Sequence, residues 1–175
     1  MEGDRPGPSA ARVAEAVATG VWLGLAQIAL GFALLTGSGA SALRFFALTA
    51  AWLAGAALGV LRGDRGGATG TRLLASALFG IAAARAALSS APFHEASTGA
   101  GLLAGALAGG YAGRFLGERA APWGDVRALL LHENNGFIAG IAAASLLLFT
   151  SARALDAAVA SLGVVLLLVR GVGRG

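Results

Sequence analysis

The stretch Ser97-Thr-Gly-Ala-Gly101-Leu-Leu-Ala-Gly105-Ala-Leu-Ala-Gly109-Gly-Tyr-Ala-Gly113-Arg-Phe-Leu116 decides the fold class. It carries a single charge, Arg114, and no alternation of polar and apolar positions. A helix needs about 20 predominantly apolar residues to cross roughly 30 Å of hydrocarbon. An open sheet edge cannot face lipid, so a helix is the economical way to satisfy this backbone. Glycine recurs every four residues, at Gly101, Gly105, Gly109, Gly113 and Gly117. On a helix that spacing leaves a bare stripe along one face, where a neighbouring backbone can come close.

Five further runs resemble it, at residues 17–36, 41–61, 73–90, 126–149 and 154–169. Across the 175 residues, 57% are hydrophobic and 13% charged, with a mean hydropathy of +0.75. Soluble domains carry about 25% charged residues. A soluble core of this size could not hide so much apolar surface, because burial is limited by surface-to-volume scaling. The expected fold is therefore all-α: a polytopic membrane protein of about six transmembrane helices packed through Gly/Ala-rich faces. Residues 1–16 form a polar N-terminal segment, 17–170 the membrane domain and 171–175 a short tail. Breaks are expected at Gly37-Ser-Gly39, Gly63 to Gly70, Ala91-Pro92, Ala121-Pro122 and Ser151. The first span leads on into another, so it reads as a retained helix rather than a cleaved secretory signal.

Every one of the 13 basic residues is Arg, scattered singly at span ends. Counted over short loops, ten fall on one side: Arg5, Arg12, Arg62, Arg65, Arg72, Arg114, Arg119, Arg127, Arg170 and Arg174. Three fall on the other, Arg44, Arg85 and Arg153. The positive-inside rule then places both termini in the cytoplasm, with a bacterial inner membrane as the expected location. With no basic run, the net charge of +4 reads as a topology signal and nucleic acid is not an expected partner. Cysteine is absent, which removes disulfides, thiolate metal sites and a cysteine nucleophile. Motifs for nucleotide phosphates, zinc hydrolysis or serine catalysis are also missing, so no cofactor, metal or catalytic residue is expected.

Gly55/Gly59 and Gly136/Gly140 repeat the four-residue glycine spacing on the second and fifth spans. Such faces serve packing within the chain, a homodimer seam or a docking face for another subunit. The second and fourth spans also share Leu53-Ala-Gly-Ala and Leu103-Ala-Gly-Ala, followed by Gly63-Asp-Arg65 and Gly117-Glu-Arg119. An internal duplication with a period near 50 residues and chance similarity in an Ala/Leu/Gly-rich chain are both open.

The chemically loaded segment is His132-Glu133-Asn134-Asn135. It lies about 10–15 Å along the fifth helix from the interface marked by Trp123 and Asp125. An ionisable group at that depth costs several kcal/mol unless paired, which makes it a functional candidate. The expected ion-pair partners of Glu133 are Arg114 and Arg119; the cluster then acts as an interhelical clamp, a substrate or proton site, or a partner contact. His94 and His132 fall at different levels of the bundle, too far apart to share one metal ion. Arg85, near one end of the third span, is expected to snorkel.

The second span, Ser41-Ala-Leu-Arg-Phe-Phe-Ala-Leu-Thr-Ala-Ala-Trp-Leu-Ala-Gly-Ala-Ala-Leu-Gly-Val-Leu-Arg62, resembles the second membrane helix of the spermidine synthase-like membrane proteins. Residues 26–41 sit where that family has its first helix and a Gly-Ser turn. Leu131-His-Glu-Asn-Asn-Gly-Phe-Ile-Ala-Gly140 is similar to its fifth-helix pattern: Glu133, Gly136 and Gly140 match, whereas His132 and Asn134 depart. The resemblance covers residues 20–170 and implies a membrane module, distantly transporter-like in style. The Gly-rich, acidic cofactor loop of the family's soluble aminopropyltransferase-like domain has no counterpart here, so aminopropyl transfer is not implied.

The leading expectation is a non-enzymatic membrane subunit or scaffold, surrounded by lipid, that packs against other membrane subunits or further copies through its glycine faces. The alternative is a small oligomeric transporter with a polar site around Glu133, Asn134 and Asn135.

Overall fold

The computed structural model describes residues 8–62 and 68–172. Among these the protein is entirely helical: α1 Ala10–Ser38, α2 Ala42–Leu61, α3 Ala68–Ser90, α4 Glu95–Trp123, α5 Val126–Thr150 and α6 Ala152–Val172. Residues 63–67 of the break after α2, together with Arg5, Arg65 and Arg174 of the charge count, lie outside the described residues. Four helices, α1, α2, α3 and α6, are long and apolar enough to cross a membrane.

The connections are short and chemically specified. Ser41 caps α2, its hydroxyl accepting from the Arg44 N–H at 3.2 Å. Asp125 caps α5 through the Arg127 N–H at 2.8 Å. A single residue, Ser151, separates α5 from α6; its hydroxyl accepts from the Ala154 N–H at 3.0 Å. Between α4 and α5 the chain reverses at Gly124, whose φ of 69° is the left-handed value glycine adopts at low cost. The break expected at Ala121-Pro122 therefore falls two residues later, with Pro122 inside the last turn of α4. Gly37 likewise belongs to α1 and Gly70 to α3.

Contacts at the two ends fix an up-down order. Arg12 of α1 donates to the Pro122 carbonyl at the end of α4 (2.8 Å), and the Gly70 N–H of α3 donates to Glu118 of α4. At the opposite end the Phe93 N–H donates to the Gly37 carbonyl (2.6 Å), and Arg85 of α3 pairs with Asp156 of α6. Each helix thus runs against the one before it.

The longest helices, α1 and α4 at 29 residues each, form the centre. α1 packs along α5 and against α6, while α4 packs along α2 and α3. Glycine decides both long pairings. A Cβ on Gly109 or Gly113 would collide with the backbone carbonyl of Trp52 or Ala56; one on Gly55 or Gly59 would collide with that of Ala106 or Gly110. The α1·α5 pair is built alike. Gly20 and Gly24 lie against the Glu133 and Phe137 carbonyls, and Gly136 and Gly140 against those of Val17 and Val21. In both pairs numbers rise together along the two helices, so α1·α5 and α2·α4 are parallel. The contacts of Gly101 and Gly105 are looser, with the side chains of Leu34 and Leu48.

The pairing accounts for two features of the sequence. Two parallel helices that bring backbones together through glycine need the same spacing on both partners, which accounts for the four-residue glycine spacing shared by α2 and α4. As the inner partner of α2 and α3, α4 can replace large apolar side chains by glycine. Since glycine is nearly neutral in hydropathy, α4 falls short of the apolarity of α1, α2, α3 and α6, as does α5 with its His132-to-Asn135 segment.

The main core runs through Trp22, Leu30, Leu74, Ala104, Tyr111, Leu155 and their neighbours. Trp22 is fully buried and donates its indole N–H to the Val159 carbonyl at 3.0 Å, fastening α6 to α1. A smaller cluster of Ala16, Phe115, Trp123 and Leu129 fills the end where α1 begins and α4 stops.

Candidate functional site

The structure separates the four polar residues of α5. Leu129, Glu133, Gly136, Gly140 and Ala144 are its buried positions, the stripe that faces α1, so Glu133 goes inward and is 8% exposed. His132 is half-buried beside Trp123, with ring centroids 5.7 Å apart. Asn134 and Asn135 are exposed on the outer face. The four do not line one cavity.

Neither expected partner reaches Glu133. Arg114 pairs with Glu118 at 2.8 Å and Arg119 with Glu15 at 2.6 Å, and no ion pair to Glu133 occurs among the described residues. The reason is reach. Glu118 lies one helical turn beyond Arg114 on its own face, whereas Glu133 is turned into the α1 seam.

Those two arginines belong to a larger network that joins helix ends. Arg114, 1% exposed, donates from Nε to Glu118 and from Nη1 to the Arg62 carbonyl that ends α2. Glu118 also accepts from the Gly70 N–H of α3 at 3.2 Å and from Arg170 Nη2 of α6 at 3.3 Å. Arg170 then reaches Glu15 of α1 through Nε at 3.2 Å, and Glu15 closes the row on Arg119. The order is Arg119–Glu15–Arg170–Glu118–Arg114, three guanidiniums alternating with two carboxylates. Under it, the Arg170 guanidinium carbon stands 5.2 Å from the Tyr111 ring centroid and 5.4 Å from that of Phe115. The Tyr111 hydroxyl meets Thr19 of α1 at 3.5 Å.

Exposed ion pairs are worth about 0–1 kcal/mol, but these side chains are largely withdrawn from solvent. Burial makes forming such a row nearly neutral overall, while removing one member strands a charge and costs about 3–5 kcal/mol. The row therefore specifies which helix ends meet more than it adds to stability. Three buried polar atoms in and beside it, Arg119 Nε, Arg170 Nη1 and Thr71 Oγ1, have no hydrogen bond among the described residues.

The sequence carried a faint signal of this network. Arg114, Arg119 and Arg170 all fall on the Arg-rich side of the charge count, and Arg114/Glu118 has the spacing of a helix ion pair. Glu15 and Glu118 were missed as partners because only the folded bundle brings α1, α4 and α6 together.

At the opposite end Arg85 does not simply reach outward to the interface. It donates from Nε at 3.1 Å and Nη2 at 2.5 Å to Asp156 Oδ2 of α6. His94 caps α4 at this end, its Nδ1 accepting from the Ala96 N–H. No group of three or more His, Asp or Glu able to hold a metal occurs among the described residues.

Comparison with known proteins finds no matching family model, no matching curated protein and no matching solved structure.

Proposed function

We propose that this chain is a small, non-enzymatic membrane transport protein. In this reading all six helices cross the membrane with both termini in the cytoplasm, and the ion-pair row closes the cytoplasmic end. One observation carries it: the exchanged pairing of two three-helix units. The first helix of each unit packs along the second helix of the other, α1 on α5 and α4 on α2. Because each unit has an odd number of helices, the second enters the membrane opposite to the first. Two halves of opposite orientation that interlock in this way can rock about a shared centre and open it to each side in turn, as inverted repeats do. The moving bodies are the glycine-bound pairs α1·α5 and α2·α4, and the passage runs along the α1/α4 contact past Thr19 and Tyr111.

The expected docking of other subunits through the glycine faces has less support. Gly55, Gly59, Gly101, Gly105, Gly109, Gly113, Gly136 and Gly140 all meet other helices of the same chain. Kinship with the membrane modules of the spermidine synthase-like family belongs to the same proposal, since a transporter-like module without a catalytic domain is what that resemblance implies.

The natural absence of cysteine gives a direct test. Single cysteines at Thr19 and Thr98 report on the α1/α4 contact near either end. With the row intact, a membrane-impermeant maleimide should label neither Thr19→Cys nor Thr98→Cys, since both positions are buried. Adding Glu15→Gln and Glu118→Gln should expose Thr19→Cys to the cytoplasm and leave Thr98→Cys unlabelled. Labelling at both positions that ignores the row would overturn the transport reading.

A further inference from the structure

The outer face of α5 combines two features that do not suit lipid. Asn134 and Asn135 are both exposed there, and among the described residues neither carboxamide makes a hydrogen bond. Around them the face is otherwise apolar: Leu131 is 59% exposed, Ile138 65%, Leu146 68% and Phe149 89%. On the six-span reading above α5 crosses the bilayer, and its 25 residues give about 37 Å, a little more than the hydrocarbon thickness. Asn134 stands about 12 Å from its start, so both carboxamides lie within the hydrocarbon. Their side chains are too short to reach the interface as Arg and Lys do. An amide facing lipid tails without a partner costs several kcal/mol.

We infer that a second copy of this chain docks against the outer face of α5, the two copies satisfying Asn134 and Asn135 across a two-fold axis normal to the membrane. Three facts select a copy over other occupants. A carboxamide is both donor and acceptor, so two of them are complementary to each other. Copies inserted with the same topology hold these residues at the same depth, and a two-fold brings each face against itself. The seam is also shaped for a helix: Asn135, Ala139 and Ala142 lie in line at helical spacing, are all exposed, and leave room for a close backbone. Ser145 adds no demand of its own, because its hydroxyl already donates to the Ile141 carbonyl at 2.9 Å. Lipid tails offer no hydrogen bond, and another protein would need a matching polar group at this one depth. The inference rests on α5 crossing the membrane, as in the six-span reading, and not on transport itself.

The cysteine-free chain again serves as the background. Asn135→Cys and Ala139→Cys, oxidised in native membranes, should each give a cross-linked species of twice the monomer mass. Leu53→Cys, exposed on α2 on another side of the bundle, should stay monomeric. Removing the hydrogen bonds with Asn134→Leu plus Asn135→Leu should weaken association on the order of tenfold in mild detergent. The variant should keep its helix content, since leucine suits lipid. No cross-link at Asn135→Cys and Ala139→Cys, an equal cross-link at Leu53→Cys, or an undiminished dimer in the double-leucine variant would each overturn the inference. So would a cross-linked species whose mass shows a different protein.

Discussion

Glu15, near the start of α1, and Arg170, near the end of α6, stand 155 positions apart and meet at 3.2 Å. Neither is on the outside of the bundle: the Arg170 side chain is 2% exposed and that of Glu15 13%. The contact joins the first and last helices, and through Glu118 it extends to α3 and α4. One charged row thus holds one end of the molecule together.

The first prediction follows from that row. Glu118→Gln leaves Arg114 and Arg170 with a weaker partner, and should lower stability in detergent by about 3 kcal/mol. Adding Arg170→Gln should recover part of the loss, because the stranded charge is gone. Thermal or denaturant unfolding of the two single variants and the double variant measures the coupling. Strictly additive losses would mean the residues act separately.

A second prediction separates glycines that look alike in sequence. Gly109→Ala drives a methyl into the Trp52 carbonyl of α2, which cannot move without parting the helices. Gly105→Ala crowds Leu48 Cδ1, the end of a flexible side chain, and touches the Leu48 backbone at ordinary contact distance. Gly109→Ala should therefore cost several kcal/mol and most of the folded yield, and Gly105→Ala about 1 kcal/mol. Gly31, where an added Cβ meets nothing, is the control: Gly31→Ala should be neutral or stabilising by up to about 1 kcal/mol. Size-exclusion yield and thermal midpoints rank the three. Equal behaviour of Gly105→Ala and Gly109→Ala would contradict the α2·α4 packing.

Glu133 gives the third. With no cationic partner for Glu133 among the described residues, a neutral side chain of the same shape should serve there as well. Glu133→Gln should thus change stability by less than about 1 kcal/mol, or raise it, since an unpaired buried carboxyl is costly. A loss of 3 kcal/mol or more in the same unfolding assay would reveal a buried positive charge beside it.

How far the sequence reveals this fold depends on the range of the interaction. Runs of apolar residues give the helices, because lipid acts on each one separately. Helix ends are less legible. α1 starts at Ala10 rather than residue 17, since Arg12 and Glu15 look like loop residues until Pro122, Arg119 and Arg170 supply their partners. The spacing of Gly109 and Gly113 shows that some backbone comes close, but only the fold names Trp52 and Ala56. Gly20 and Gly24 escaped notice because their partner stripe lies more than a hundred residues away on α5. The candidate site was least legible. Glu133 draws attention as an isolated acid within a span, while the charged row is assembled from helix ends whose residues are individually ordinary.

In the transport reading, two glycine-bound helix pairs move as bodies once the charged row lets go. Spin labels on Leu61→Cys at the end of α2 and Arg127→Cys at the start of α5 span the two pairs at that end; both positions are exposed. Labels on Ala11→Cys and Arg127→Cys lie within the α1·α5 pair. Pulsed distance measurements in lipid, with and without Glu15→Gln and Glu118→Gln, make the comparison. Breaking the row should lengthen and broaden the Leu61–Arg127 distance and leave the Ala11–Arg127 distance unchanged. Two unchanged distances, or equal changes in both, would contradict it.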